Sequence, residues 1–254
     1  MNIKDKVAVV KGGSRGIGKA TALALAERGA SVAIVFNTHK GEAEEVKKKC
    51  LEKGRKAEIY QCDVSNSINV KETIDKIVKD FGRVDILVNN AGIYIKKTFL
   101  ETDESTWDKT IDVNLKGIFN CCRFTIPYML KEGHGKIINI SSVAAWNGGR
   151  LAVSVPYIAS KAGVIGITKA LAKQFTSNGV FVSGIAPDLV ETDMLINAVY
   201  NSDLEIKEII KNIPIGRLCK SEEIAHAVIF LVENDYIVGE TIDISGGHIL
   251  FNNI

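Results

Sequence analysis

Seven short runs rich in β-branched residues, each separated from the next by an amphipathic stretch, constrain this chain more than any other feature. The runs are Lys6–Val10, Ser31–Phe36, Ala57–Cys62, Val84–Asn89, Lys136–Ile140, Val180–Ile185 and Glu240–Ile244. Runs of this length and composition read as strands. The clearest intervening stretch is Ile68–Phe81, where Ile74, Ile77, Val78 and Phe81 share one face of a helix. Strands that alternate with helices pair in parallel, because a parallel neighbour needs a crossover connection, and the crossovers cover both faces. The expected fold class is α/β, a seven-stranded parallel sheet with helices on both faces. A chain of 254 residues can still share one core, and no linker or repeat divides it, so residues 1–254 are expected to form a single domain. Residues 191–213, a mixed polar and apolar insertion, are expected to form a lid over a substrate site.

Charge and thiols narrow the functional classes. Lys and Arg number 32 and Asp and Glu 30, interleaved throughout, which leaves no basic stripe for nucleic acid or an anionic membrane. The one basic run, Lys47-Lys48-Lys49, follows Glu42, Glu44 and Glu45 and reads as a solvated helix face. Cys50, Cys62, Cys121, Cys122 and Cys219 show no C-x-x-C pairing and the four histidines are scattered, so no metal site is expected. Reduced thiols, no signal sequence in Met1–Val10 and no stretch of 18 apolar residues lead to the expectation of a cytoplasmic protein.

Chemistry begins after the first strand. Lys6–Val10 runs into Gly12-Gly13-Ser14-Arg15-Gly16-Ile17-Gly18, and a helix follows. Glycines let backbone approach a pyrophosphate, and the free N–H groups of a helix start favour an anion. The spacing G-x-x-x-G-x-G departs from the common G-x-G-x-x-G fingerprint, and alone it also fits a tight turn. Further on, Tyr157 and Lys161 stand four residues apart and share a helix face. Reduction of a carbonyl by hydride needs a proton delivered to its oxygen. A lysine cation beside a tyrosine lowers the phenol pKa toward working pH, so a depressed Tyr157 is expected.

The glycine loop, Asn89-Asn90-Ala91-Gly92, Asn114, Ser142, Tyr157-x-x-x-Lys161 and Pro187 occur in one order over the full chain, and in this the sequence resembles the short-chain dehydrogenases/reductases. The resemblance implies a Rossmann-like doubly wound domain. It makes Tyr157 the general acid/base, Ser142 the hydroxyl on the substrate oxygen, Lys161 a holder of the nicotinamide ribose and Asn114 the anchor of a water leading to Lys161. Ser141 competes with Ser142, and Ser154 is a weaker substitute. The interval from Ser142 to Tyr157 is about two residues longer than the common family spacing, with the excess in Trp146–Val155. The cofactor contacts implied are Gly12, Ser14, Arg15, Gly16, Ile17, Gly18, Asn37, Asp63, Val64, Asn90, Ala91, Gly92, Tyr157, Lys161, Pro187, Val190 and Thr192.

The charge around the second strand decides the cofactor. NAD-preferring relatives carry an acid there for the ribose 2′-hydroxyl. Val35-Phe36-Asn37-Thr38-His39-Lys40 has none, and Arg15 stands where a 2′-phosphate wants a cation, so NADP(H) is preferred over NAD(H). Four positions depart from the family pattern: Lys11 before the first glycine, Ser183 in the sixth strand, Asp188 after Pro187 and Ser245 before Gly246-Gly247. Lys11 and Asp188 cannot compensate each other, because three strand steps of ~4.8 Å separate their strands. Asp188 is expected near the nicotinamide, where its charge would weaken cofactor binding.

Val190–Met194 and Ile213–Leu218 resemble 3-oxoacyl-acyl-carrier-protein reductases and sugar or polyol dehydrogenases of the family. A 3-oxoacyl reductase-like activity is the expected function. A sugar or polyol dehydrogenase, or a catalytically silent NADP-sensing protein, are the alternatives. Gly133 and Asn178 replace arginines that dock an acidic carrier. A longer C-terminal substrate domain, as in sugar-nucleotide epimerases, is not expected. Met194, Leu195, Ile196, Val199 and Tyr200 serve equally as lid contacts or helix core. The resemblance implies a homotetramer, built through the Tyr157 helix and the helix near Asn114, with a small-molecule substrate.

Overall fold

In the computed structural model, which describes residues 1–149, 154–199, 207–208 and 210–250, strand and helix alternate as the residue runs demand. β1 (Val7–Lys11) leads into α1 (Gly16–Glu27), β2 (Ser31–Phe36) into α2 (Lys40–Glu52), and β3 (Ala57–Gln61) into α3 (Ser67–Phe81). Then come β4 (Ile86–Asn89), α4 (Glu104–Ile111), α5 (Gly117–Lys131), β5 (Gly135–Ile140), α6 (Ala144–Asn147) and α7 (Val155–Phe175). β6 (Val180–Pro187), α8 (Asp193–Val199), α9 (Ser221–Glu233) and β7 (Thr241–Ile244) follow.

All strand pairs are parallel, in the order β3-β2-β1-β4-β5-β6-β7. The chain starts in the middle, works outward to β3, then crosses back to β4 and works outward the other way. Loops leaving β1 and β4 therefore diverge at their carboxyl ends, and such a divergence opens a ligand crevice. The alternation of side chains builds two cores. Val10, Ile34, Val88 and Ile138 join Leu25 of α1 and Val228 of α9 in one. Val9, Val35, Leu87 and Ile137 join Ile74 and Ile77 of α3, Ile118 of α5 and Val164 of α7 in the other. Each fully buried Ile, Leu or Val contributes about 1.5–3 kcal/mol relative to exposure.

Boundaries differ from the residue runs where side chains intervene. β1 begins and ends one residue later, which brings Lys11 into the sheet beside Asn89. β4 begins at Ile86. Asp85, fully buried just before it, accepts the Val7 N–H at 2.9 Å and pairs with Arg83, closing the foot of the sheet. β6 runs on to Pro187, whose missing N–H costs nothing at a strand end and whose carbonyl accepts the Val143 N–H at 3.0 Å. The helix expected over Ile68–Phe81 gains one residue. Asn66 caps it by accepting the N–H groups of Ile68 and Asn69, and Gly82 (φ 85°) ends it.

The expected lid begins as α8. Tyr200, the side chain of Val199, residues 201–206 and residue 209 lie outside the described residues, as does 150–153 of the long interval before Tyr157. Among the described residues, no helix is long and apolar enough to cross a membrane, and no group of His, Cys, Asp and Glu is placed to hold a metal ion.

Candidate active site

The carboxyl edge of the sheet carries a cleft of about 1170 Å³. Its first wall is the glycine loop. Gly12 has φ +71°, and a Cβ there would stand 2.7 Å from the Ala91 Cα. At Gly18 a Cβ would meet the Gly12 carbonyl oxygen at 1.9 Å, so α1 can press against its own loop only without a side chain. The Asn90 amide donates to that same Gly12 carbonyl at 3.1 Å. Arg15 makes no capping bond to the first turn of α1, leaving its N–H groups for an anion. The cradle fits a pyrophosphate. Of the positions selected from the sequence, Gly12, Ser14, Arg15, Gly16, Ile17, Asn37, Asp63, Val64, Asn90, Ala91 and Gly92 line the cleft, as do Ser142, Tyr157, Lys161, Pro187, Val190 and Thr192. Gly18 and Asn114 lie behind its wall, both buried.

Asn114 is turned inward by a π-helical turn, Asp112–Lys116, between α4 and α5. Its Oδ1 accepts the Ile93 N–H at 2.8 Å, and its Nδ2 donates to the Ile93 carbonyl at 2.9 Å and to Ser160 Oγ at 3.2 Å. The asparagine thus fixes the backbone just after Gly92. Lys161 lies across that glycine, with its Nζ 3.7 Å from where a Gly92 Cβ would be.

Tyr157 and Lys161 lie one turn apart on α7, and the Lys161 Nζ is 5.6 Å from the phenol ring centroid. The ammonium donates to the Ile140 carbonyl at 2.9 Å. Ser142, just past β5, is hydrogen-bonded to Tyr157, and its Oγ accepts the Ala144 N–H at 3.2 Å. Ser141 instead donates to the Lys161 carbonyl at 2.7 Å. Ser154, also in the cleft wall, is 1% exposed, and its hydroxyl has no partner among the described residues.

The expected depression of Tyr157 is not what this geometry produces. Burial raises its pKa, the Ser142 hydroxyl opposes that only in part, and Tyr94 adds to the rise. Lys161 yields instead: burial, with a contribution from the Lys11 charge, brings it down to about 7. Desolvation outweighs the attraction of neighbouring charge when both partners leave water.

The departures also find their surroundings. Lys11 is 1% exposed, and its Nζ has no hydrogen-bond partner among the described residues. It points between β1 and α5, 3.1 Å from the position of a Gly117 Cβ, and faces Cys62, Cys121 and Cys122. Burial lowers its pKa. Asp188 pairs with His248 from the turn after β7, Oδ2 to Nδ1 at 2.5 Å, with both side chains largely buried. Asp188 lines the cleft, as the sequence led one to expect, and its carboxylate is met there by the imidazole. Ser183 donates to the Ile237 carbonyl at 2.7 Å.

Three contributors escaped the sequence reading. Tyr94 meets the Tyr157 ring edge-on at 5.1 Å; its position just beyond Asn90-Ala91-Gly92 was the only signal. Glu42, two residues past the stretch searched for an acid, bonds His39 at 3.1 Å and feels the Arg15 charge. Asp193 pairs with Arg15 at 3.1 Å.

Known proteins with the same architecture extend over nearly the whole chain. The family model described as short chain dehydrogenase matches residues 6–202. A 3-oxoacyl-[acyl-carrier-protein] reductase of Staphylococcus epidermidis is 41% identical over 247 residues, 96% of this chain and 98% of that protein. The enzyme of the same name from Thermotoga maritima is 37% identical over 252 residues, covering 98% of this chain and all of that one. A putative short-chain alcohol dehydrogenase from Sinorhizobium meliloti superposes with a TM-score of 0.91 at 32% identity, over 97% of each chain. Levodione reductase gives 0.92 at 29% identity, over 98% of this chain and 99% of that one. The chain belongs to the short-chain dehydrogenase/reductase family and is an oxidoreductase acting between carbonyl and alcohol.

Proposed function

We propose that the protein is an NADP(H)-dependent reductase of 3-oxoacyl thioesters in which Tyr157 is the general acid. One observation carries the reading: a half-buried phenol, hydrogen-bonded to Ser142 and one helical turn from a buried lysine, in the wall of a dinucleotide-sized cleft. Gly12, Ser14, Gly16 and Ile17 would hold the pyrophosphate, with Gly18 closing α1 against the loop behind them, Asp63 and Val64 the adenine, and Asn90, Ala91 and Gly92 the backbone between. Pro187, Val190 and Thr192 would meet the nicotinamide, which when bound supplies the hydride.

The chain's own residues handle the proton. Ser142 and Tyr157 converge on one position for a carbonyl oxygen. The raised pKa keeps the phenol protonated at neutral pH, the state a reductase needs. Charge left on the phenol oxygen after transfer is met by Lys161 while that side chain is cationic. With Lys161 at about 7, the cation is present below neutrality and lost as pH rises through that value. Tyr157 stays protonated across the window. The kcat/KM for NADPH, which reports the free enzyme, is therefore expected to fall with one-proton dependence centred near pH 7. A profile flat from pH 6 to 9 would remove Lys161's charge from the mechanism.

An acyl chain suits the rest of the cleft. Trp146, Leu189, Met194, Leu195 and Ile249 line it, beside polar groups that include Tyr94, Lys109, Asn147, Asp188, Asn212 and His248. The five apolar side chains would pack against an acyl chain and offer a sugar or polyol no hydrogen bond. With Gly133 and Asn178 at the two arginine positions, the reading names the thioester rather than its carrier. The kcat/KM for 3-oxoacyl thioesters, read as NADPH oxidation, should exceed by at least about tenfold that for sugar carbonyls with NADPH and that for polyols with NADP+. Tight NADPH binding without turnover on any carbonyl would favour a sensor instead.

Arg15 is proposed as the cation for the 2′-phosphate, with Asn37 beside it. A charge-assisted bond of about 1.5–3 kcal/mol corresponds to at least a tenfold narrowing of the NADPH-over-NADH preference in Arg15→Ala. An unchanged ratio of dissociation constants would assign the phosphate to another residue. The five free thiols support a cytoplasmic setting. A homotetramer is part of the proposal: Ala162 and Gly166 leave one strip of α7 open, and Phe119 is exposed on α5. Sedimentation velocity at micromolar protein tests it.

A further inference from the structure

We infer that Asp193 is a specificity-determining residue for the cofactor: its carboxylate competes with the 2′-phosphate for Arg15 and so sets how strongly the cleft prefers NADPH to NADH. The inference deepens the reading of Arg15 given above and rests on it.

The geometry places one cation between two anions at the mouth of the cleft. Arg15 precedes α1 with an extended backbone (φ −151°), and its side chain bonds nothing in its own helix. Its Nη1 donates instead to Asp193 Oδ2 at 3.1 Å, across 178 residues of sequence. Both side chains are about half exposed, so the pair stands where an incoming anion would meet it. Asp193 does not hang free. Thr192, its neighbour, donates to the Val190 carbonyl at 3.2 Å and accepts the Leu195 N–H at 3.4 Å. The Thr192 methyl lies 3.1 Å from where a Gly16 Cβ would be, so the segment before α8 rests directly on the glycine loop. Glu42, held by His39, also feels the Arg15 charge.

A phosphate reaching Arg15 must displace or share the Asp193 carboxylate, and in either case two anions come within a few ångströms of each other. The ribose 2′-hydroxyl of NADH brings no charge and meets no such opposition. The effect is therefore selective. A partly exposed ion pair is weak enough to exchange partners rather than lock. It is also sensitive to salt, because the opposition acts through solvent.

Equilibrium titration of the purified protein with NADPH and with NADH, followed by nucleotide fluorescence, decides the matter without reference to turnover. Asp193→Asn keeps shape and removes charge. It should tighten NADPH about fivefold and leave NADH within about twofold, the gain shrinking in 0.5 M salt. Asp193→Glu should keep the wild-type ratio. A merely structural role would move both nucleotides together, and that outcome, or weaker NADPH binding in Asp193→Asn, overturns the inference. Arg15→Ala separates the two levels. If it narrows the ratio while Asp193→Asn does nothing, the competition alone is wrong. If it leaves the ratio unchanged, the Arg15 assignment and the competition fall together.

Discussion

Tyr157→Phe should lose about 10²–10⁴-fold in kcat on every carbonyl substrate while binding NADPH within about twofold of wild type. The range follows from general acid catalysis, which contributes about 10²–10⁴-fold. Neither Ser142 nor Lys161 can replace the phenol. Ser142 has a hydroxyl of ordinary acidity, and Lys161, though close to neutral pKa, is turned to the Ile140 carbonyl. The phenyl ring keeps the edge-on contact with Tyr94, so the cleft wall stays in place. Stopped-flow turnover beside fluorescence titration measures both halves. Near wild-type rates would move the proton donor elsewhere; a lost cofactor site would make the residue structural.

Lys11→Met should stabilise the protein, by on the order of 2 kcal/mol at pH 7, since an unsatisfied buried polar group costs about 1–3 kcal/mol. Methionine carries nearly the same stem and suits a thiol-lined site. For a chain of this size the gain corresponds to a rise in Tm of about 4–8 °C. The pH dependence has a definite sign. Burial lowers the folded-state pKa below 10.5. Between the two values the unfolded chain binds a proton that the folded chain does not, so wild-type stability rises with pH there. The penalty is full below the folded pKa and gone above the unfolded one. The Tm gap between variant and wild type should therefore be widest near neutrality and close toward pH 10. A variant less stable than wild type at pH 7 would mean that Lys11 makes a favourable contact.

Lys11 also shows how far sequence carries in such a chain. The run Lys6–Val10 announced a strand, and its unbroken apolar residues agree with burial of both faces of β1. The one-residue shift that draws Lys11 into the sheet depends on pairing with Asn89, which no local pattern expresses. Tyr157 and Lys161 were legible because four residues on a helix fix their spacing whatever surrounds them. The direction of their pKa shifts was not, because charge is written in the residues while the loss of water is a property of the packed cleft. Pairings between distant loops were least visible. Asp188 with His248 and Arg15 with Asp193 each join side chains brought together only at the carboxyl edge of the finished sheet.

The single extra residue in the turn at Asp112–Lys116 has a consequence for tolerance to length change. It sets the rotational phase between α4 and α5, each of which must bury its own side. Regular α-helical winding over all five residues would rotate one segment by about 100° relative to the other. Either Thr106 and Thr110 leave the interior, or Ile118 and Cys122 do. The extra residue thus keeps both faces buried at this chain length, so a one-residue deletion should disturb the packing less inside this turn than inside α4 or α5, while substitutions on the outer side of the same turn, such as at Lys116, should pass almost unnoticed.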